Sequence, residues 1–251
     1  MSGEKVTALV TGASSGLGVE FCRQLATRCD VIIAVARRED RLLALAAELA
    51  DTVEVHCLVA DLESIEGVAR TLEALRQKGP VNYLVNNAGF GELGRFETLP
   101  IDRQRSMVNL HIDTSITLCR AAIPFMRELG GGTIINVSSL AAFMQGKGMA
   151  VYGASKAFLN YYSLSLQAEL ADSGIEVQAL CPGYTRTEFH DSMAKETFDP
   201  GRIPEQNWMT GEAVVAASLE ALGSGKVLVV PGEDNLHVAR SGLQQQLDSL
   251  Q

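Results

Sequence analysis

The stretch Val6–Gly18, VTALVTGASSGLG, joins an apolar run to a glycine-rich turn and the beginning of an amphipathic segment. Val6–Val10 is largely apolar on both faces, which is typical of a parallel strand buried on both sides. Gly12, Gly16 and Gly18 follow it. Glycines here allow a tight turn and let backbone N–H groups approach a pyrophosphate at a helix N-terminus. The spacing G-x-x-x-G-x-G is not the standard dinucleotide fingerprint, so a plain glycine-rich turn between strand and helix is the alternative.

The rest of the chain repeats this alternation of a short apolar run and an amphipathic stretch. The runs that predict strands are Val6–Val10, Val31–Ala36, Val53–Val59, Tyr83–Val85, Thr133–Val137, Val177–Leu180 and Val227–Val230. The stretches that predict helices are Leu17–Arg28, Arg38–Ala50, Ser64–Gln77, Ile101–Leu129, Ser155–Asp172 and Gly211–Leu222. This alternation predicts a doubly wound α/β fold, with a mostly parallel, seven-stranded Rossmann-type sheet and helices on both faces. No linker or internal repeat interrupts it, so we expect residues 1–251 to form a single domain.

The composition is that of a globular protein and excludes several classes of partner. Of the 251 residues, 47% are hydrophobic and 20% are charged, which excludes disordered and fibrous proteins. The formal net charge of −9 argues against a nucleic-acid or anionic-membrane partner, since both require a basic face. The five cysteines include no C-x-x-C pair, which indicates reduced thiols and no metal site. The sequence shows no signal peptide and no apolar run long enough to span a bilayer, so we expect a cytoplasmic protein.

One long segment, residues 184–209, departs from the alternation. It contains no clear strand or long helix, yet it carries the large side chains Tyr184, Phe189, His190, Met193, Phe198, Trp208 and Met209. Irregular loops of this length are uncommon in compact domains and usually serve as lids or binding loops. We expect this segment to be a substrate lid, with surface packing or local disorder as the alternatives.

Candidate catalytic residues lie on one helical stretch and at one predicted strand end. Tyr152 and Lys156 are four residues apart, so on a helix they share a face and lie ~6 Å apart along the axis. A nearby ammonium group favours the phenolate and lowers the pKa of a phenol, which suits the pair for general acid–base catalysis. A packed ring with a solvated amine is the alternative. Ser138 and Ser139 follow the predicted strand Thr133–Val137, where hydroxyls face a ligand crevice or simply cap a turn.

Together these features resemble the short-chain dehydrogenase/reductase family, and the resemblance covers essentially the whole chain. The shared motifs, in the family's order and spacing, are the turn Thr11–Gly18, Asn87-Ala88-Gly89, a serine thirteen residues before the tyrosine of Y-x-x-x-K, and Pro182-Gly183. One such motif is weak evidence, whereas the ordered set is specific. The resemblance implies a Rossmann-type oxidoreductase that transfers a hydride between a nicotinamide cofactor and a carbonyl or alcohol carbon.

The resemblance assigns catalytic roles to Asn109, Ser139, Tyr152 and Lys156. Tyr152 is expected to exchange a proton with the substrate oxygen, while Ser139 polarises that oxygen and Ser138 is structural. Lys156 is expected to lower the pKa of Tyr152 and to bind the nicotinamide ribose. Asn109 corresponds to a helix asparagine that holds a water molecule linking Lys156 to solvent, and an asparagine inside a helix is otherwise unfavourable.

The end of the second predicted strand indicates which nicotinamide cofactor is used. NAD-preferring relatives carry an acidic residue there, whereas this chain has Ala36 followed by Arg37 and Arg38. Arg37 suits the 2′-phosphate, and Ser14 offers a hydroxyl, so we expect NADP(H) to be preferred over NAD(H). A solvated arginine pair is the alternative. The residues expected to bind cofactor are Gly12, Ser14, Ser15, Gly16, Leu17, Gly18, Arg37, Arg38, Asp61, Leu62, Asn87, Ala88, Gly89, Tyr152, Lys156, Pro182, Gly183, Thr185 and Thr187.

The substrate is predicted from the expected walls of the pocket, which are mostly apolar: Leu140, Phe143, Met144, Gln145, Met149, Tyr184, Phe189 and Met193. They favour an NADP(H)-dependent carbonyl reductase or alcohol dehydrogenase for bulky, hydrophobic ketones. A 3-oxoacyl carrier-protein reductase is the alternative, and it requires a basic surface at the pocket mouth. A non-catalytic nucleotide-sensing protein is an alternative of a different class.

The resemblance also implies a homo-oligomer, a tetramer or a dimer, formed through the helices predicted at Ile101–Leu129 and Ser155–Asp172. One of these helices has an apolar face made by Leu159, Tyr162, Leu166 and Leu170. Simple core packing predicts the same face, so the pattern does not distinguish an interface from the interior.

Overall fold

The computed structural model describes residues 5–190 and 199–250. Its strands are β1 (Thr7–Thr11), β2 (Val31–Ala36), β3 (Glu54–Val59), β4 (Tyr83–Asn86), β5 (Gly132–Val137), β6 (Ile175–Leu180), β7 (Thr185–Arg186), β8 (Met209–Thr210) and β9 (Leu228–Val229). Its α-helices are α1 (Gly16–Leu25), α2 (Glu39–Leu49), α3 (Ile65–Lys78), α4 (Ile101–Val108), α5 (Thr114–Glu128), α6 (Ala150–Glu169), α7 (Gly211–Glu220) and α8 (Glu233–Asp248).

The main sheet has seven parallel strands in the order β3-β2-β1-β4-β5-β6-β9, while β7 pairs only with β8. The chain runs outward from β1 to β3 and then returns to the other side of β1 with β4. This reversal separates the loops that follow β1 and β4, which opens a crevice at the carboxyl ends of the strands. The predicted fold class, a doubly wound α/β sheet, is confirmed.

Both faces of the sheet are buried, because side chains alternate along each strand and both faces carry helices. Ala8 and Val10 of β1 pack in the layer that contains α1, α2 and α7. Leu9, between them, packs in the opposite layer with α3, α5 and α6. This two-sided burial explains why the strands read as nearly continuous apolar runs.

The single helix expected over residues 101–129 is interrupted in the middle. A π-helical turn, Asn109–Asp113, separates α4 from α5, and the backbone N–H of Thr114 bonds the carbonyl of Asn109 five residues earlier. A π turn contains more residues than an α-helical turn, so it shifts which side chains face the sheet. Such turns occur frequently at functional sites.

The sequence pattern does not predict α8, and the reason lies in how this helix packs. Only Ala239 and Gly242 of α8 are buried, so the helix has no wide apolar stripe. A Cβ atom on Gly242 would lie 2.1 Å from the carbonyl oxygen of Phe143, so the helix contacts the protein through a bare backbone position. Helix α6 also differs from expectation, since it begins at Ala150 and therefore includes Tyr152.

Segment 184–209 contains no long helix in its described part. Besides β7 and β8 it has only short 3₁₀ turns, at Glu188–His190, Pro200–Arg202 and Glu205–Asn207. The Trp208 ring contacts the Tyr184 ring, with centroids 5.6 Å apart, and the His190 ring at 5.3 Å. Residues 191–198, which include the Met193 and Phe198 named above, lie outside the described residues. The lid assignment stays a prediction.

None of the helices in the described ranges is both long and apolar enough to cross a lipid bilayer. All five cysteines are free thiols, and all except Cys57 are buried.

Candidate active site

A cleft of about 1020 Å³ opens at the carboxyl ends of the parallel strands, next to the point where the strand order reverses between β1 and β4. Its walls come from the segments that follow β1 to β6, from α6, and from α8. This volume is at the upper end of ordinary small-molecule sites, so a dinucleotide and a second small molecule fit together.

The glycine-rich turn forms one end of the cleft and is held in place by polar contacts to β4. Gly12 and Gly16 have φ angles of +68° and +53°, a region that favours glycine. The hydroxyl of Thr11 accepts from the backbone N–H of Asn87 at 2.9 Å, and the Asn87 amide donates to the Thr11 carbonyl at 2.8 Å. Gly18 does not line the cleft. A Cβ there would lie 2.2 Å from the Gly12 carbonyl oxygen, so Gly18 allows close packing of helix and turn.

Arg38 lies beside this turn and reaches both the turn and segment 184–209. Its guanidinium donates to the Ser14 hydroxyl at 3.2 Å and pairs with the Glu188 carboxylate at 2.9 Å. Arg41 pairs with the same carboxylate at 3.0 Å. The Arg38 and Arg41 guanidinium groups hold the pKa of Glu188 below its usual value. The sequence does not reveal Glu188 as part of this cluster.

The end of β2 carries no acidic residue that faces the turn. Ala36 is buried at the strand end, and Arg37 pairs across the cleft rim with Glu63 at 2.9 Å. Ser14, Arg37 and Arg38 all line the cleft. Guanidinium and hydroxyl donors in this arrangement suit a phosphate dianion, which accepts charge-assisted hydrogen bonds.

Tyr152 and Lys156 lie one turn apart on α6 and are both buried at the cleft wall. The Lys156 ammonium donates to the Val137 carbonyl at 2.9 Å and lies 5.9 Å from the centre of the Tyr152 ring. The Ser138 hydroxyl donates to the Lys156 backbone carbonyl at 2.9 Å, which ties α6 to the end of β5. Ser139 lines the cleft, and its hydroxyl accepts from the Ala141 backbone N–H at 3.1 Å.

Burial governs the titration of both groups. It raises the pKa of Tyr152, with the Ser139 hydroxyl acting in the opposite direction. It also lowers the pKa of Lys156 to about 7, because the ammonium loses its hydration. The expected lowering of the Tyr152 pKa by Lys156 is therefore not observed in this structure: the lysine amine is directed to the Val137 carbonyl, and desolvation of the phenolate dominates.

Asn109 is not brought to the site, so its placement from the sequence is wrong. It is exposed and does not line the cleft. Residues two apart on a helix point in nearly opposite directions, ~200° around the axis. The side chain of this turn that packs against Tyr152 is His111, which is 1% exposed and contacts the Tyr152 ring edge-on, with centroids 6.0 Å apart.

The structure brings together the other sequence-predicted site residues. Apart from Gly18 and Asn109, every residue expected to act in catalysis or to bind cofactor lines the cleft. Of the expected substrate walls, Phe143 packs in the interior beside α8 and Gln145 is exposed; neither lines the cleft. Several further lining residues are absent from the sequence motifs: Ala60, Glu63, Phe90, Leu93, Gly94, Arg95, Ala141, Lys147, Gly148, Glu188, Asn207, Asp234, Asn235 and Val238. No local motif marks them, because they converge only in three dimensions.

Comparisons with known proteins agree with this geometry. The sequence model of the family described as short chain dehydrogenase matches residues 6–197. An acetoacetyl-CoA reductase from Acinetobacter sp. (strain RA3849) is 34% identical over 239 residues, which cover 93% of this chain and 96% of that protein.

Two solved structures share the fold over nearly their whole length. A short-chain dehydrogenase from Sphingobium yanoikuyae in complex with NADPH has a TM-score of 0.83 and 34% identity, covering 96% of this chain and 95% of that one. A bulky-bulky ketone specific alcohol dehydrogenase from Comamonas testosteroni has a TM-score of 0.80 and 31% identity, covering 96% and 94%. On the family match, the fold and the ordered site, the chain belongs to the short-chain dehydrogenase/reductase family and is an NAD(P)-dependent oxidoreductase acting on carbonyl and alcohol groups.

Proposed function

We propose that this protein is an NADP(H)-dependent carbonyl reductase or alcohol dehydrogenase whose substrates are bulky, hydrophobic ketones or the corresponding secondary alcohols. The observation that carries the cofactor preference is the donor cluster of Ser14, Arg37 and Arg38 at the cleft end where β2 terminates in Ala36. Two guanidinium groups favour a 2′-phosphate, and the absence of an acidic side chain at the Ala36 position removes the acceptor that the ribose of NADH would use. The NADPH complex of the Sphingobium yanoikuyae relative supports this preference.

The preference for bulky substrates rests on the part of the cleft next to Tyr152. Leu93, Met149 and Phe189 pack in the same cluster as the Tyr152 ring. Further apolar surface in the cleft comes from Leu140, Met144 and Tyr184. The Phe189 ring lies 6.2 Å from the Tyr152 ring, so it closes one side of the space in front of the phenol. Apolar walls bind apolar substituents on both sides of a carbonyl, and the ketone-specific relative supports this reading.

The residues of this chain orient the substrate and move the proton. When bound, the nicotinamide cofactor supplies or accepts the hydride. Tyr152, whose raised pKa keeps it protonated, donates its proton to the carbonyl oxygen in the reductive direction. Ser139 donates a hydrogen bond to the same oxygen, and Lys156 offers its amine to the ribose hydroxyls.

The test is a panel of ketones of increasing size, assayed with NADPH and with NADH by the loss of their near-ultraviolet absorbance. We expect kcat/KM to rise with substituent size on both sides of the carbonyl, and NADPH to be the better cofactor. A Tyr152→Phe variant is the matched control for background turnover. NADPH binding without turnover of any ketone would instead support the non-catalytic alternative.

A second candidate, reduction of 3-oxoacyl thioesters, is favoured by two basic residues at the cleft. Arg95 and Lys147 both line it and are exposed, although Arg95 also pairs with Glu97. An acidic carrier or a coenzyme A phosphate would contact such cations. The acetoacetyl-CoA reductase relative supports this candidate. If acetoacetyl-CoA exceeds every simple ketone in kcat/KM, and Lys147→Ala lowers its kcat/KM, this second function replaces the first.

We propose that the protein forms a homo-oligomer, a dimer or a tetramer, through apolar side chains that are exposed on the surface of the fold. Leu159, Leu166 and Leu170 are buried in the interior, so they do not form the interface. The large apolar residues exposed on α5 and α6 are Ile116, Tyr161 and Leu164, and Tyr161 is 76% exposed. The test is to measure the molar mass by light scattering after size-exclusion chromatography. We expect Tyr161→Glu to shift the mass towards that of the monomer. An unchanged mass would count against this surface as the interface.

A further inference from the structure

His111 is a buried imidazole that lies directly beside the ring of Tyr152. It lies in the π-helical turn Asn109–Asp113, is buried, and packs between the rings of Tyr152 and Phe90. Its Nε2 atom is buried and has no well-formed hydrogen-bond partner within the described residues. The proton transfer described above does not use this imidazole, so its place beside the phenol of Tyr152 requires another explanation.

The hydrogen bonds around His111 determine its tautomer. The Ser155 hydroxyl donates its single proton to the Tyr152 backbone carbonyl, at 2.7 Å. The same hydroxyl oxygen lies 2.9 Å from His111 Nδ1, so it must accept there, and Nδ1 carries the proton. Nε2 of the neutral ring therefore carries no proton. Burial, aided by the charge of Lys156, holds the pKa of His111 well below its usual value, with the Phe90 backbone acting against this.

The chain His111–Ser155–Tyr152 links two separate elements. His111 belongs to the turn between α4 and α5, whereas Ser155 and Tyr152 lie on the first turns of α6. The bond at Nδ1 is the polar tie between that turn and the stretch of α6 that carries the phenol. A Cβ on Gly89 would lie 2.7 Å from His111 Nε2, so a glycine at that position gives the ring its room.

We infer that His111 is a positioning residue for the reaction: through its Nδ1–H bond to Ser155 it fixes the Tyr152 turn of α6 relative to the cleft. This role belongs to Nδ1 and not to Nε2. Proton transfer requires the phenol to be within hydrogen-bond reach of the substrate oxygen. A misplacement of ~1 Å costs up to ~10²-fold in rate.

Three substitutions of His111 distinguish the role of Nδ1 from that of Nε2. The amide of His111→Asn reaches the position of Nδ1 and can donate to Ser155, whereas the longer His111→Gln places its amide near the position of Nε2. His111→Leu removes both. We expect kcat to fall by about tenfold to a hundredfold in the Leu and Gln variants and by less than about threefold in the Asn variant. NADPH affinity should stay within about twofold, since His111 does not line the cleft.

The link to Ser155 gives a further readout. Ser155→Ala should lower kcat as His111→Leu does, and the double variant should lose little more than either single one. If the Asn variant is as poor as the Leu variant while Gln is active, Nε2 carries the role and the inference is overturned. Full kcat in the Leu variant also overturns it.

A measurement without substrate separates this inference from the proposed function. In ¹⁵N-histidine-labelled protein, the two ring nitrogens of His111 have distinct chemical shifts, and we expect Nδ1 to be the protonated one. Ser155→Ala should weaken that preference. Protonation at Nε2 in the wild type contradicts the inference even if ketone reduction is confirmed, whereas failure to reduce ketones leaves this result intact.

Discussion

The burial of Lys156 predicts an unusual dependence of stability on pH. Its ammonium is surrounded by protein and donates to the Val137 carbonyl, and burial lowers its pKa to about 7 from the ordinary lysine value of 10.5. In the unfolded chain the same lysine has its ordinary pKa. We propose to replace it with methionine, which keeps the length of the side chain and removes the titrating group.

The sign and size follow from proton linkage. Below about pH 7 both states hold the proton, so the folded wild type carries the full cost of a buried charge. Between about pH 7 and about pH 10.5 only the unfolded state keeps the proton, so stability contributed by this group rises with pH. The rise is ~1.4 kcal/mol per pH unit, or about 5 kcal/mol over the whole window as an upper limit. Lys156→Met abolishes this contribution.

The assay is guanidinium unfolding followed by circular dichroism at several values between about pH 6 and about pH 9.5. The quantity compared is the difference in unfolding free energy between wild type and Lys156→Met. The buried thiols and Tyr152 titrate in both proteins, so their contributions to the pH dependence cancel in this difference. The lost hydrogen bond to Val137 shifts this difference by a constant. We expect the unfolding free energy of the wild type, relative to that of the variant, to rise by up to about 3 kcal/mol across this pH range. Lys226→Met, at an exposed lysine outside the cleft, is the control and should show a flat difference.

Two results refute this reasoning. A flat difference for Lys156→Met shows that the amine keeps an ordinary pKa in the folded protein. A wild type that loses stability relative to the variant as pH rises shows that Lys156 has a stabilising partner, the opposite of a desolvated charge.

The remaining predictions concern the reaction and the cofactor. Tyr152→Phe should lower kcat at least about a hundredfold with little change in NADPH affinity, because only the transferable proton is removed; wild-type turnover would end its assignment as the acid–base group. Arg38→Ala should lower kcat/KM for NADPH roughly 10- to 150-fold and leave NADH use nearly unchanged, whereas Arg37→Ala, which is paired with Glu63, should have a smaller effect in the same direction. An equal loss with both cofactors would contradict the phosphate contact. Glu188→Gln removes the exposed ion pair that competes with NADPH for Arg38, so NADPH should bind about two- to fivefold more tightly at low salt. Titration calorimetry measures this affinity. An unchanged affinity would show that the ion pair does not compete with the cofactor.

The amino-acid sequence alone is enough to predict the fold class and most of the residues that line the cleft. Apolar runs alternating with amphipathic stretches identify a parallel sheet covered on both faces, because hydrophobic periodicity is a local property of the chain. The turn at Gly12–Gly18 and the pair Tyr152 and Lys156 are local as well: a strand end or a helical spacing is enough to place them. For the same reason the resemblance placed nearly all of its residues on the cleft.

Which side chains meet in the cleft, and how their pKa values shift, depends on the tertiary fold. The π turn changes which side chains of this helical segment point towards α6, so His111 rather than Asn109 faces Tyr152. Helix α8 packs through Gly242, a contact that leaves no periodic apolar signal. The pKa of Lys156 depends on burial by β5 and α6 together, which spacing cannot reveal. In each case the deciding quantity is contact between residues distant in sequence, because desolvation and close packing arise only when the chain has folded.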